Sequence, residues 1–309
     1  MKGSAPAVIA AAFQELKSRA EPRWQELEDT TRSVILVGAA TCGRAAGARE
    51  VLQALRNEVK KRNLDCPVIE VGCLGHCYAE PLVIIRKPGY PAICYGRVNT
   101  VIAEKLVRDF VLGDDPCYEF ILGALEENDL IPSFTDFPRA GYEKKLILKN
   151  CGHIDPEQID HYVGNGGYAA LTKALQMEPV GIIEQVNKSG LRGRGGAGFP
   201  TGQKWQICRG APGRLKYMIC NADEGDPGAF MDRAILESDP HSVLEGMIIA
   251  AYAIGARQGY IYVRAEYPLA VHRVRLAIRQ AKKQGLLGRN ILGSRFSFDI
   301  RLFQGSGAF

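Results

Sequence analysis

Three groups of residues have types and spacings suited to chemistry. The first is the glycine-dense run 190–202, which holds six glycines in thirteen residues. Within it Gly193, Gly195 and Gly198 satisfy G-x-G-x-x-G, a pattern that means a dinucleotide fold only when a strand precedes it. Here the preceding Gly181-Ile182-Ile183-Glu184-Gln185-Val186 reads as helix, so a plain Rossmann dehydrogenase is disfavoured. The glycines still let backbone N–H groups approach a ligand without Cβ interference. Thr201 is placed to cap the helix that follows, and Lys204 falls in its first turn, where amides and ammonium together favour a phosphate. The alternative is a flexible surface loop with solvated arginines.

The second group is Cys220-Asn221-Ala222-Asp223-Glu224-Gly225-Asp226-Pro227-Gly228. It follows an expected strand, at the carboxyl end where α/β sheets bind ligands. Asn221 offers donors and an acceptor, and the carboxylates can accept from sugar hydroxyls. Three acids in four residues, Asp223, Glu224 and Asp226, argue for a partner rich in donors. The competing reading is a turn in which an aspartate caps the next helix. The third group is thiol-based. Nine cysteines are an odd number, and Cys73-x3-Cys77 is a ligand spacing rather than a disulfide framework. This reads as a reducing, cytoplasmic compartment with thiols used for metal or redox work. His76, between the two cysteines, reads as loop filler. Cys151, Cys208 and Cys220 have no metal spacing and read as small hydrophobes.

Alternating strands and helices position these groups. Ser33-Val34-Ile35-Leu36-Val37 suits a buried strand, residues 45–62 have helical periodicity, and residues 66–71 read as a second strand. Residues 81–86 and 92–95, joined by Lys87-Pro88-Gly89-Tyr90, form a hairpin, and a helix over 101–112 closes a small α/β unit. Residues 113–149 are broken by Asp-Pro, Ile-Pro and Phe-Pro steps, giving a linker with one short helix near 118–127. Helices follow from 155 to 187, then the glycine loop. Strands over 215–220, 260–263 and 296–303 alternate with helices from 231, 242 and 269. This order predicts a parallel sheet covered on both faces.

Composition sets outer limits. The 309 residues are 46% hydrophobic and 24% charged, which excludes a disordered chain and leaves room for two domains. A net charge of +5, with no dense basic stripe, does not point to nucleic acid. The longest apolar run, residues 247–256, is about half a membrane span, so no membrane insertion is expected. The apolar stretch 5–13 continues into helical spacing without a clear cleavage site, so it reads as a helix rather than a signal peptide.

Residues 190–205, 220–233, 239–241 and 245–247 together resemble the flavin-binding, NADH-oxidising 51 kDa subunit of respiratory complex I. They also resemble its relatives in NAD(P)-linked hydrogenases and formate dehydrogenases. Gly225-Asp226 is closer to the hydrogenase-type branch. The resemblance implies an oxidoreductase in which FMN takes hydride from NAD(P)H and releases electrons singly to the iron–sulfur clusters of partner subunits. It implies FMN contacts at Gly193, Arg194, Gly195, Lys204, Asn221, Asp223 and Glu224. It implies nicotinamide-nucleotide contacts at Gly196, Ala197, Phe199 and Asp226, with Phe199 and Phe309 as flanking aromatics. Asp226 stands where complex I usually has Glu, which shortens its reach.

The first α/β unit resembles the thioredoxin-like two-iron ferredoxin fused to the hydrogenase-type relatives. There the ligands follow C-x4-C and C-x3-C. Cys42, Cys73 and Cys77 supply three, and the fourth position falls on Val37. Cys66 and Cys94 are the other nearby thiols, and both fall on expected strands. No stable 2Fe-2S cluster is therefore expected here. The resemblance places a 4Fe-4S cluster only in a further C-terminal part, and implies that the chain is cut short and catalytically incomplete alone. The expected architecture is α/β: an N-terminal helix (1–30), a thioredoxin-like ferredoxin-type domain (31–113), a linker (114–150) and a partial parallel-sheet FMN/NAD-binding domain (151–309). The competing function is a non-catalytic electron-transfer or docking subunit that keeps the fold without complete cofactor sites.

Overall fold

A computed structural model of the chain describes residues 5–136 and 142–306. A long helix, α1 (Ala5–Glu28), opens it. Two compact units follow. One comprises Trp24–Gln158 with Glu237–Asp239, and the other comprises Met1–Arg23, Ile159–Leu236 and Pro240–Phe309.

The first unit is built on β1 (Val34–Gly38), α2 (Thr41–Ala45), α3 (Ala48–Lys61), β2 (Val68–Val71), β3 (Val83–Arg86), β4 (Ile93–Tyr95), α4 (Thr100–Lys105) and β5 (Ile121–Ala124). All five residues of β1 are buried, as its unbroken apolar run requires of a central strand. It pairs parallel with β2 and antiparallel with β3, which pairs antiparallel with β4, giving the order β2-β1-β3-β4-β5. The first four strands have the order and directions of a thioredoxin-like sheet. Val51, Leu52, Leu55 and Val59 recur at helical spacing on α3 and pack with Ile35 and Val37 from β1. On the other face Leu36 and Ile84 meet Leu27 from α1. Asn99 caps α4 by accepting from Ile102 N at 2.9 Å, and α4 continues as a π-helical segment, Leu106–Val111.

The expected helix near residues 118–127 is not formed. A 3-10 turn at Tyr118–Phe120 leads into β5, which pairs antiparallel with β4. Pairing with an edge strand outweighs the weak helical periodicity of this segment. Cys66 lies before β2 rather than within a strand, although it is buried; Cys94 is in β4 as expected.

The second unit contains α5 (Ile159–Gly164), α6 (Ala169–Ala174), α7 (Pro179–Lys188), α8 (Thr201–Gly210), β6 (Tyr217–Ala222), α9 (Met231–Ser238), α10 (Pro240–Ile254), β7 (Gln258–Arg264), α11 (Pro268–Lys283) and β8 (Asp299–Gly305). The last residues of α9 count with the first unit. The three strands are all parallel, in the order β6-β7-β8, so their carboxyl ends share one edge. Helices α10 and α11 pack on the sheet. Ala222, Ile261, Val263 and Ile300 are buried beneath them. The expectation of a sheet covered on both faces is not met. The alternate residues are open, with Tyr217 49%, Ile219 63%, Tyr262 40% and Phe303 49% exposed. Among the described residues, no helix is long and apolar enough to cross a membrane.

Candidate functional site

The glycine run lies between α7 and α8, so a helix precedes it, as its sequence indicates. The neck of the loop is a small antiparallel bridge between Arg192 and Pro200. Gly193 N donates to Phe199 O and Thr201 N donates to Leu191 O, each at 2.9 Å. Gly190, Gly196 and Gly198 take positive φ, which only glycine adopts without strain. The tip is open. A Cβ added at Gly195, Gly196 or Gly198 would meet nothing within 4 Å. Gly193, Arg194, Gly195, Gly196, Ala197 and Phe199 therefore all stand on one exposed lasso.

The cap of α8 is not as expected. Pro200 is the N-cap residue, and Thr201 is already the first residue of the helix without a side-chain cap bond. Lys204 is in the first turn. Its ammonium lies 5.7 Å from the centre of the Phe199 ring and has no carboxylate partner among the described residues. A cation at this end opposes the helix dipole, so the arrangement favours an anion that would offset both.

At the end of β6, Asn221 Oδ1 accepts from Asp223 N at 3.1 Å. Asp223 Oδ1 is buried and has no hydrogen-bond partner among the described residues. Glu224 behaves differently. Its carboxylate accepts from Asp232 N at 3.0 Å and Arg233 N at 3.2 Å, the first free amides of α9, and from Tyr267 OH at 3.2 Å. The helix-capping reading thus applies, but to Glu224 rather than to an aspartate. Asp226 is exposed, and Phe309 lies outside the described residues. Among the described residues no hydrogen bond joins the lasso to residues 221–226. The sheet brings the acids to its carboxyl edge, and the lasso stands by itself.

Of the motif residues 239–241 and 245–247, all but Gly246 are buried. Glu245 accepts from Tyr162 OH at 2.6 Å, Tyr168 N at 2.8 Å and Leu171 N at 2.9 Å, satisfying the start of α6. His241 Nδ1 accepts from Tyr168 OH at 2.8 Å, and Nε2 lies 3.0 Å from Gln280 Oε1, to which it donates. Complete burial holds the His241 imidazole down at about 4, so it is neutral.

The thiols separate into two classes. Cys42, Cys73 and Cys77 come together, with sulfurs 3.4–3.8 Å apart. Hydrogen bonding with Cys73 holds the Cys42 thiol down at about 6, and the same contact, with burial, pushes Cys73 up. Burial pushes Cys151 and Cys220 up to about 11, as befits inert small hydrophobes. His76 is not in the cluster; it stacks on Phe134, ring centres 4.7 Å apart. Sequence reasoning missed Glu237 and Ser238. Glu237 accepts from Thr41 N at 2.8 Å and Thr41 Oγ1 at 2.5 Å, beside Cys42. Ser238 Oγ accepts from Cys73 N at 3.3 Å. A Cβ at Gly72 would stand 2.2 Å from that oxygen, so glycine is required there.

The unit thus combines a glycine lasso before a helix start with acids at the carboxyl edge of a parallel sheet. Residues 186–309 match the family described as the Nuo51 FMN-binding domain, bearing out the resemblance read from the motifs. The chain is 59% identical over 165 residues to the NADP-reducing hydrogenase subunit HndC of Solidesulfovibrio fructosivorans, covering 53% of this chain and 34% of that one. It is 52% identical over 179 residues to a component of the NADH-quinone oxidoreductase of Aquifex aeolicus (strain VF5), covering 57% and 42%. A solved structure of an NAD+-reducing [NiFe]-hydrogenase in the H2-reduced state aligns with 23% identity and a TM-score of 0.41, covering 99% of this chain and 52% of that one. The match to each of the two curated relatives spans less than half of that relative's length.

Proposed function

We propose that the chain is part of an NAD(P)H dehydrogenase module that binds FMN at residues 193–226 and serves a multi-subunit, cytoplasmic iron–sulfur complex. The Lys204 ammonium at the start of α8, without a carboxylate partner among the described residues, carries this reading, because an FMN phosphate supplies the charge that end of the helix lacks. The residues fit the group: the lasso is open where a backbone would approach a ring or phosphate, and Asp223 keeps a buried oxygen without a donor among the described residues. Bound there, FMN would supply hydride acceptance from a nicotinamide and release of electrons one at a time.

The chain's own residues then divide the work. Lys204 and the first amides of α8 hold the phosphate. Gly193, Arg194 and Gly195 line it with backbone. Asn221 offers its side-chain NH2 as a donor pair and Asp223 an acceptor oxygen to a ring edge or sugar, while Glu224 fixes the turn through α9. Gly196, Ala197, Phe199 and Asp226 are left for the nicotinamide nucleotide, with Phe199 as a stacking wall. Partner subunits carrying iron–sulfur clusters, of complex I, hydrogenase or formate dehydrogenase type, would take the electrons.

Fluorescence titration of FMN against the purified chain tests the assignment. Lys204→Ala should weaken binding by about 1–3 kcal/mol, or roughly 5- to 150-fold, the scale of a charge-assisted hydrogen bond. Equal affinity in the variant and the parent would refute the phosphate position.

A further inference from the structure

The Cys42, Cys73 and Cys77 sulfurs form a triangle with edges of 3.8 Å (Cys42–Cys73), 3.6 Å (Cys73–Cys77) and 3.4 Å (Cys77–Cys42). The two-iron cluster implied by the thioredoxin-like resemblance does not fit this set. It takes four thiolates shared between two irons, so only ligands of the same iron stand one short edge apart. The fourth position is Val37, fully buried in the core beside Ile35 and Val83, where no donor exists. Cys66, Cys94 and Cys117 are buried away in the two cores.

Three thiolates all within one short edge of each other suit a single ion. A tetrahedral metal with bonds of about 2.3 Å to sulfur spans about 3.8 Å between ligands. We infer that Cys42, Cys73 and Cys77 bind one soft divalent cation of the zinc class, with the fourth coordination position open to solvent. The ligands come from three pieces of backbone: the first turn of α2, the loop after β2 and the 3-10 turn Cys77–Ala79. The first two are held by neighbouring side chains and amides. Glu237 holds the Thr41 peptide, Ser238 holds the Cys73 amide, and Gly75 N donates to Cys73 Sγ at 3.3 Å. Such outer bonds orient ligands before a metal arrives. Cys77 is exposed, which puts the missing vertex toward water. Cys151 contacts Ser238 and is not one of the mutually close sulfurs, so it stays outside the ligand set.

The test uses the whole chain, reduced and stripped of metal with a chelator, and titrated with Co2+ as a coloured probe. One equivalent should produce a sulfur-to-cobalt charge-transfer band and intense tetrahedral visible bands, both abolished by Zn2+. Cys42→Ser, Cys73→Ser and Cys77→Ser should each lower Zn2+ affinity by about a hundredfold or more, since losing a ligand exceeds the loss from an outer-layer partner. Cys151→Ser should leave it unchanged. X-ray absorption of the zinc-loaded parent, which needs no variant, should count three sulfur neighbours. Two or four sulfurs would overturn the inference. So would a ligand-sized loss in Cys151→Ser, or a stoichiometric two-iron paramagnetic signal after incubation with iron and sulfide.

Discussion

The motif set that marks this chain falls into two kinds of place within one unit. Residues 190–200 form an exposed lasso whose tip glycines face open space, while residues 240–247 lie in α10, where His241 and Glu245 are engaged inside. Both stretches are equally conspicuous as sequence. The lasso spends no chain contacts on its own tip, which leaves its amides for a ligand. The helix uses His241 and Glu245 to hold α5, α6 and α11 together. Here two polar residues of the motif set, His241 and Glu245, belong to the frame rather than to the lasso or the sheet edge.

The contrast is sharpest at Glu245. Glu245→Ala removes the acceptor of three buried hydrogen bonds and should cost about 3–5 kcal/mol of folding stability, measured by urea unfolding. A loss below about 1 kcal/mol would mean that this region is not the closed frame described above.

Acid is the next lever. The His241 imidazole titrates near 6.5 when unfolded and at about 4 when folded, so the unfolded chain takes up its proton first. Its stabilising contribution is complete above pH 6.5 and is lost as pH falls toward 4, on the order of 3 kcal/mol in all. In His241→Gln the slope of stability against pH between about 6.5 and 4.5 should flatten. An unchanged slope would assign acid sensitivity elsewhere.

The smallest expected change in stability is on the open side. Gly195→Ala meets no neighbour and needs no positive φ, so stability should stay within about 0.5 kcal/mol of the parent. FMN affinity should nevertheless drop roughly tenfold, because the added methyl stands where the ligand would lie. Were stability to fall and affinity to hold, the two regions would have exchanged roles.

Much of the frame is legible in the sequence. The apolar run of β1, the turn between β3 and β4, and the periodicity of α3 and α11 each encode their element locally. β5 escaped because Phe120-Ile121-Leu122-Gly123-Ala124 suits helix or strand equally, and pairing with β4 decides. The open sheet face escaped for a related reason. Tyr217-Met218-Ile219-Cys220 lacks polar alternation and so reads as a strand buried on both sides. At the sites, ligand-type residues were legible by spacing, but their supports were not. Glu237 lies 196 residues from Thr41, and Ser238 lies 165 from Cys73. No local pattern spans such separations. Glu224 and the aspartates beside it are chemically alike, and only the position of α9 makes Glu224 the cap.

The uncovered face of the β6-β7-β8 sheet has a practical consequence for anyone who melts this protein. Tyr217, Ile219, Tyr262 and Phe303 together present a patch of greasy, aromatic surface in the native state. Dyes that brighten on apolar surface will adsorb to the native chain at low temperature. The melt then starts from a bright baseline, and heating disperses the patch as well as exposing the interior. A thermal-shift trace read in the usual way will understate the transition, whereas circular dichroism follows the backbone and is blind to the dye.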